Sequence, residues 1–118
     1  SGNGDAHLKN WSLIYPDGIN ARLAPAYDLV STIAYRADDQ LALNLARSKR
    51  WQDVRRESFL RLARRIGDDE TRMADRLERA RASILAAWHD AGDEWGYTKQ
   101  ARDRIASQLA RVPLFAGG

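Results

Sequence analysis

The chain has 118 residues, 44% hydrophobic and 30% charged, with a net charge of +3 and no cysteine. That length allows about one small domain, and that balance fits a folded chain rather than a disordered one. Lack of cysteine excludes a disulfide framework and a thiolate zinc site and agrees with a reducing, cytoplasmic setting, while no apolar run approaches the ~20 residues that span a bilayer and no signal peptide is visible.

Residues 1–10, "SGNGDAHLKN", read as loop, because Gly2, Asn3, Gly4 and Asp5 are turn formers. Residues 11–15, "WSLIY", favour a strand, "PDG" at 16–18 signals a turn, and "INARLA" at 19–24 returns as a second strand. The pair predicts a short hairpin. After Pro25, "AYDLVST" at 26–32 reads as loop or a short helical turn. "LALNL" at 41–45 alternates, with Leu41, Leu43 and Leu45 on one side, and predicts a short strand or extended segment.

The remainder reads as helix. Trp51, Val54, Ser58, Leu62 and Ile66 recur at spacings of three and four, widened by Phe59 and Ala63, with Gly67 as the C-terminal stop. Asp68 or Asp69 caps a second helix carrying Met73, Leu77, Ala80, Ile84 and Trp88 on one face and ending near Gly92. A third begins near Thr98, carries Ala101, Ile105, Leu109 and Val112, and is closed by Pro113. "LFAGG" reads as a frayed tail. Three apolar stripes make one small core. The first 46 residues offer fewer anchors (Trp11, Leu13, Tyr15, Leu23, Tyr27, Leu29) and read as needing a partner surface. Trp51, Trp88 and Trp95 read as core rather than as stacking platforms for bases.

Charge is uneven. Residues 1–46 hold three Lys/Arg against five Asp/Glu, residues 47–81 twelve against seven, and residues 82–118 four of each. The basic middle raises a nucleic-acid reading. Its arginines are interleaved with carboxylates, as in "RRESFLRLARR" and "DRLERARA", which fits solvated helix faces better.

The chemistry lies in the opening loop. Phosphoryl transfer from ATP requires a carboxylate near the acceptor hydroxyl and oxygen ligands for magnesium, commonly one Asn and one Asp. "DAHLKN" supplies Asp5 and Asn10 at the D-x-x-x-x-N spacing. The predicted hairpin follows, and then "YDLVS" supplies Asp28. The pair alone is a weak signal; the pair, a hairpin and an Asp in that order are a stronger one. Asp5, His7 and Asp28 are also acceptable ligands for a divalent ion without a kinase, a reading that leaves Asn10 and the hairpin unexplained. Ser31 and Thr32 follow Asp28 and read as turn polarity.

"GNGDAHLKNWSLIY" followed by "RLAPAYDLVST" resembles the HipA family of serine/threonine kinases, the toxin halves of bacterial toxin–antitoxin pairs. The likeness is close over residues 2–32 and looser through the helices. The D-x-H-x-x-N form is also similar to the catalytic loop of lipid kinases, and "YDLVS" in place of D-F-G separates the chain from ordinary protein kinases. The resemblance implies a mainly α fold, the C-terminal lobe of a protein-kinase-like architecture with a β-hairpin near its start. It divides residues 1–118 into a catalytic loop, hairpin and magnesium-binding loop at 1–46 and a helical subdomain at 47–118. It implies Asp5 as catalytic base, Asn10 and Asp28 as magnesium and nucleotide ligands, and catalytic or loop-bracing roles for His7 and Lys9. It implies ATP and Mg2+ as cofactors, a protein serine as acceptor (glutamyl-tRNA synthetase being the known type of target), self-phosphorylation, and a small DNA-binding antitoxin as partner. Nucleic acid is then touched only through that antitoxin, and no membrane is involved. No G-x-G-x-x-G loop and no strand lysine occur in these residues, so the expectation is a C-terminal fragment, inactive alone. The alternative is a helical module that docks a partner protein, with a vestigial polar loop.

Overall fold

Short β-prone runs around "PDG" do pair, over fewer residues than their composition allows. In the computed structural model, which describes residues 3–36, 38–90 and 95–116, β1 (Leu13–Ile14) and β2 (Arg22–Leu23) are antiparallel, with Leu13 opposite Leu23 and Ile14 opposite Arg22. The Ala24 N–H donates to Ser12 O at 2.8 Å and extends the pairing. Gly18 takes φ +75° in the turn, a value that costs glycine nothing. Asp17 braces that turn, accepting from the backbone N–H groups of Ile19 and Asn20 at 3.0 and 2.7 Å and from the Asn20 amide at 2.6 Å. Leu13, Ile14 and Leu23 are all exposed, so neither hairpin face is covered.

"LALNL" is not a strand. Leu45 and Ser48 form a single antiparallel bridge and exchange both backbone hydrogen bonds, at 2.8 and 3.0 Å. Between them Ala46 and Arg47 take φ of +50° and +76°. The alternation of leucines is real, but a tight turn ends the extended segment before a ladder can form.

Trp51–Asp53 is a single 3-10 turn, and α1 (Arg56–Ile66) starts after it. Val54, Ser58, Leu60 and Ala63 are buried, whereas Ile66 is 62% exposed, so the inward stripe lies a little off the expected one. Gly67 ends the helix at φ +72°, its N–H directed to Ala63 O and Arg64 O, the left-handed stop that its position suggested. Asp69 caps α2 (Glu70–Asp90), accepting from the Arg72 N–H at 2.7 Å. The predicted stop near Gly92 lies outside the described residues. No residue of α2 is fully buried. Its apolar side chains face a cleft of about 620 Å³, lined among others by Leu41, Trp51, Leu77, Ile84, Leu109 and Phe115.

Thr98 caps α3 (Lys99–Arg111), its hydroxyl accepting from the Ala101 N–H. The apolar face of α3 packs chiefly on the 3-10 turn Thr32–Ala34. Ile33, Ala34, Ile105 and Leu109 form the core cluster, with Trp88, Ala101 and Phe115 against it. Trp88 of α2 reaches this cluster and α1 packs along α2, so the three helices share the core with the 3-10 turn. Arg104 reinforces the contact by donating to Ala34 O at 2.9 Å. Pro113 opens a further helical turn, α4 (Pro113–Ala116), which suits a residue with no N–H to lose at a first helical position. The tail is docked rather than frayed up to Ala116: the Leu114 N–H donates to Val54 O at 3.1 Å, and Arg81 Nε donates to Leu114 O at 2.9 Å. Trp95 is 54% exposed and meets Tyr97 ring to ring, so its core assignment is corrected; Trp51 and Trp88 are half-buried.

The basic helices carry their charge as the interleaving predicts. Arg64 pairs with Glu57 and Glu70, Arg72 and Arg76 with Asp68, and Arg81 with Glu78. Among the described residues no helix is long and apolar enough to cross a membrane.

Candidate active site

The polar loop becomes a site because two distant segments close on it. Leu8–Asn10 forms one 3-10 turn, entered through His7. The His7 N–H donates to Asn10 Oδ1 at 3.2 Å, which fixes the Asn10 side chain against its own turn. The other end of that amide, Nδ2, donates to Asp28 Oδ2 at 2.7 Å across eighteen residues of sequence. Asn10 and Asp28, the two expected magnesium ligands, are thus side by side.

Asp28 sits at φ +55°. Left-handed backbone is uncommon for a residue with a Cβ, though aspartate tolerates it better than most. That conformation turns the chain so that the carboxylate meets Asn10 while its backbone carbonyl accepts from Asn3 Nδ2 at 3.4 Å. Tyr27, expected only as an apolar anchor, locks the same junction with its hydroxyl. Its hydroxyl donates to Lys9 O at 2.9 Å, which leaves its oxygen to accept from Ser12 Oγ at 2.9 Å. One phenol so joins the loop, the first strand and the Asp28 segment. The adjacency of Tyr27 to Asp28 was the available signal; its partners, fifteen and eighteen residues away, were not.

Asp5 lies on the exposed side of the loop. Its N–H donates to Asn3 Oδ1 at 3.0 Å and its carbonyl accepts from the His7 N–H at 2.8 Å. Its carboxylate is 69% exposed, with His7 Nε2 at 3.7 Å. At that distance and exposure the pair adds little to stability and leaves the carboxylate open to a third group. His7 Nδ1 is buried and has no partner among the described residues. Lys9 contributes its carbonyl to Tyr27, and its ammonium is exposed with no partner among the described residues.

Asn10 and Asp28 fit a magnesium ion in kind: three oxygen atoms on adjacent side chains, hard donors of the type that ion selects, with phosphate and water supplying the rest. In the arrangement present, Asn10 offers nitrogen to Asp28 and oxygen to His7, so joint coordination requires the amide to turn over. The reading of Asp5, His7 and Asp28 as a metal centre finds no support, since among the described residues no three His, Cys, Asp or Glu side chains gather closely enough to hold an ion.

Two further residues that sequence reading left as background hold the loop from behind. The Gly4 N–H donates to Thr32 Oγ1 at 2.6 Å, and the Thr32 hydroxyl donates to Asp39 Oδ2. Thr32 is therefore more than turn polarity. Its partner stands 28 residues upstream, beyond any local pattern.

Comparison with known proteins places the chain in a family. Over 115 residues the chain is 36% identical to a protein of Sinorhizobium fredii named "Putative kinase Y4dM", covering 97% of this chain and 28% of that protein. It is 30% identical over 125 aligned positions to another from the same organism, "Putative kinase Y4mE", covering 96% of this chain and 29% of that protein. The chain spans under a third of the length of these curated relatives. No solved structure matches it significantly. A family model described as the HipA-like C-terminal domain matches residues 1–88, a span that holds the loop, the hairpin, Asp28, Thr32 and α1. The chain belongs to the HipA-like C-terminal domain family.

Proposed function

We propose that the chain is the catalytic C-terminal lobe of a kinase that transfers the ATP γ-phosphate to a serine or threonine of a protein. The observation that carries this reading is the Asn10–Asp28 contact at 2.7 Å, made between two loops that the hairpin brings together. Asp5 orients the acceptor hydroxyl and takes its proton as the oxygen attacks; an exposed carboxylate on a braced loop suits that role. Asn10 and Asp28 would hold magnesium, whose positive charge would offset the negative charge that develops during transfer. Lys9 extends an exposed ammonium for phosphate or acceptor charge. His7, beside Asp5, has a catalytic or loop-bracing role.

The same reading gives the whole protein a cytoplasmic place, an aminoacyl-tRNA synthetase as acceptor class, and an antitoxin as partner, with nucleic acid reached only through that partner. The 118 residues alone are inactive, because they contain no glycine-rich phosphate loop and no strand lysine. A second reading, a docking module with a vestigial loop, is favoured by the bare apolar side chains Leu13, Ile14, Leu23 and Leu29.

One assay separates them. The full-length protein is given radiolabelled ATP and magnesium, as native sequence, Asp5→Ala and Asp28→Ala. Label is expected on the protein or on an added synthetase, falling by about 10²–10⁴-fold when the base is removed. Undiminished labelling in both variants would exclude these residues from the site, and no labelling by the native protein would leave the docking module.

A further inference from the structure

Nothing in the Asp5 side chain's own contacts fixes where its carboxylate points. Among the described residues its only ionic neighbour is His7 Nε2 at 3.7 Å, and the group is largely exposed. Its position must come from the backbone of residues 3–5, which Asn3 Oδ1 and the His7 N–H brace locally and which the Thr32 hydroxyl ties to the core. Thr32 donates its hydroxyl hydrogen to Asp39, and its oxygen accepts from the Gly4 N–H. Asp39 thereby sets the rotor that holds Gly4. Thr32 opens a 3-10 turn whose next two residues, Ile33 and Ala34, are buried in the cluster with Ile105 and Leu109. The fit is close as well as bonded: a Cβ on Gly4 would fall onto the Asp39 carboxylate.

We propose that Thr32 and Asp39 are positioning residues for the Asp5 carboxylate, acting through the Gly4 backbone. This rests on Asp5 being the base of the proposed transfer. The clasp joins the loop bearing the base to the segment bearing Asp28, four residues before Thr32, and so sets the distance between base and cation site. Releasing it leaves Asn10 and Asp28 paired by their own hydrogen bond, and leaves Ile33 and Ala34 in the core. The base alone drifts. The loss should therefore appear in kcat and not in the KM for ATP.

The test uses the full-length protein with Thr32→Val, Thr32→Ser, Asp39→Ala and Asp5→Ala. Val keeps the shape and removes the hydroxyl; kcat is expected to fall about 10- to 100-fold, the scale of a small misplacement of a reacting group. The KM for ATP should stay within about twofold, because uniform binding is untouched. Ser should restore most of kcat, and Asp39→Ala should lower it in the same pattern with Thr32 intact. A normal kcat in Thr32→Val or Asp39→Ala, a loss that appears in KM instead, or failure of Ser to restore kcat would overturn the proposal. If Asp39→Ala folds where Val does not, its kcat alone decides. Transfer that survives Asp5→Ala would overturn the base assignment and this inference together, whereas loss in Asp5→Ala with normal Thr32→Val would overturn this inference alone.

Discussion

Asp17 shows how a single residue can be specified by bonds made within one turn. The Asn20 side-chain amide, then the Asn20 and Ile19 backbone N–H groups, all donate to its carboxylate and hold its pKa down at about 2, against an ordinary 3.8. Those donors favour the charged form, so the bracing is complete above the ordinary value and is lost as pH falls towards 2. Thermal midpoints of the native chain and Asp17→Ala should therefore differ near neutral pH and converge on acidification through that window. A gap that stays constant or widens in acid would contradict the bracing. Asp28 and Asn10 follow a different logic. Each is held by groups many residues away, and the chain accepts left-handed backbone at Asp28, a cost characteristic of positions kept for chemistry.

Among the elements, the turn between Leu45 and Ser48 is the one whose residues fit their backbone least. Two positive φ values fall on Ala46 and Arg47, where a two-residue turn of this kind favours Asn-Gly. Ala46→Asn combined with Arg47→Gly should stabilise the chain by about 1 kcal/mol, the relief of left-handed strain less the entropy of the added glycine; chemical denaturation measures it, and unchanged or lower stability would refute it. This turn also marks how far the sequence was legible. Strong local signals carried through: "PDG" gave a hairpin, Gly67 ended α1, Asp69 and Thr98 capped their helices. What failed depended on distant partners. Leu41, Leu43 and Leu45 alternate like a strand, but a strand needs a neighbour in register. "LFAGG" looks like a tail until Val54 and Arg81 bind Leu114. In the candidate site, the spacing of Asp5, Asn10 and Asp28 could be read from the sequence, and Asn10 does meet Asp28. The bonds of Tyr27, Thr32 and Asp39 could not, because hydrogen bonds over long stretches of chain leave no periodic trace.

For the molecule as a whole, the core is small for the chain. Among the described residues eight hydrophobic ones form the buried set, while Leu8, Ile19, Leu29 and Tyr35 are each more than 70% exposed. The radius of gyration is 15.7 Å, against about 13.5 Å from the usual scaling for this length. Most of the uncovered apolar surface lies in the first 35 residues, around the candidate site, where a covering surface would also exclude water from the chemistry. With Asn10 and Asp28 proposed to hold the nucleotide's magnesium and Asp5 to act on the acceptor, ATP binding separates those roles. Calorimetry of the full-length protein with ATP, with and without magnesium, should give Asp5→Ala an affinity within about threefold of native, since a base contributes to transfer rather than to ground-state binding. Asp28→Ala should lose the magnesium-dependent part of that affinity, about tenfold or more, as one charged ligand is removed from the ion. Equal binding by Asp28→Ala and the native protein, or no magnesium-dependent binding by the native protein, would contradict the account.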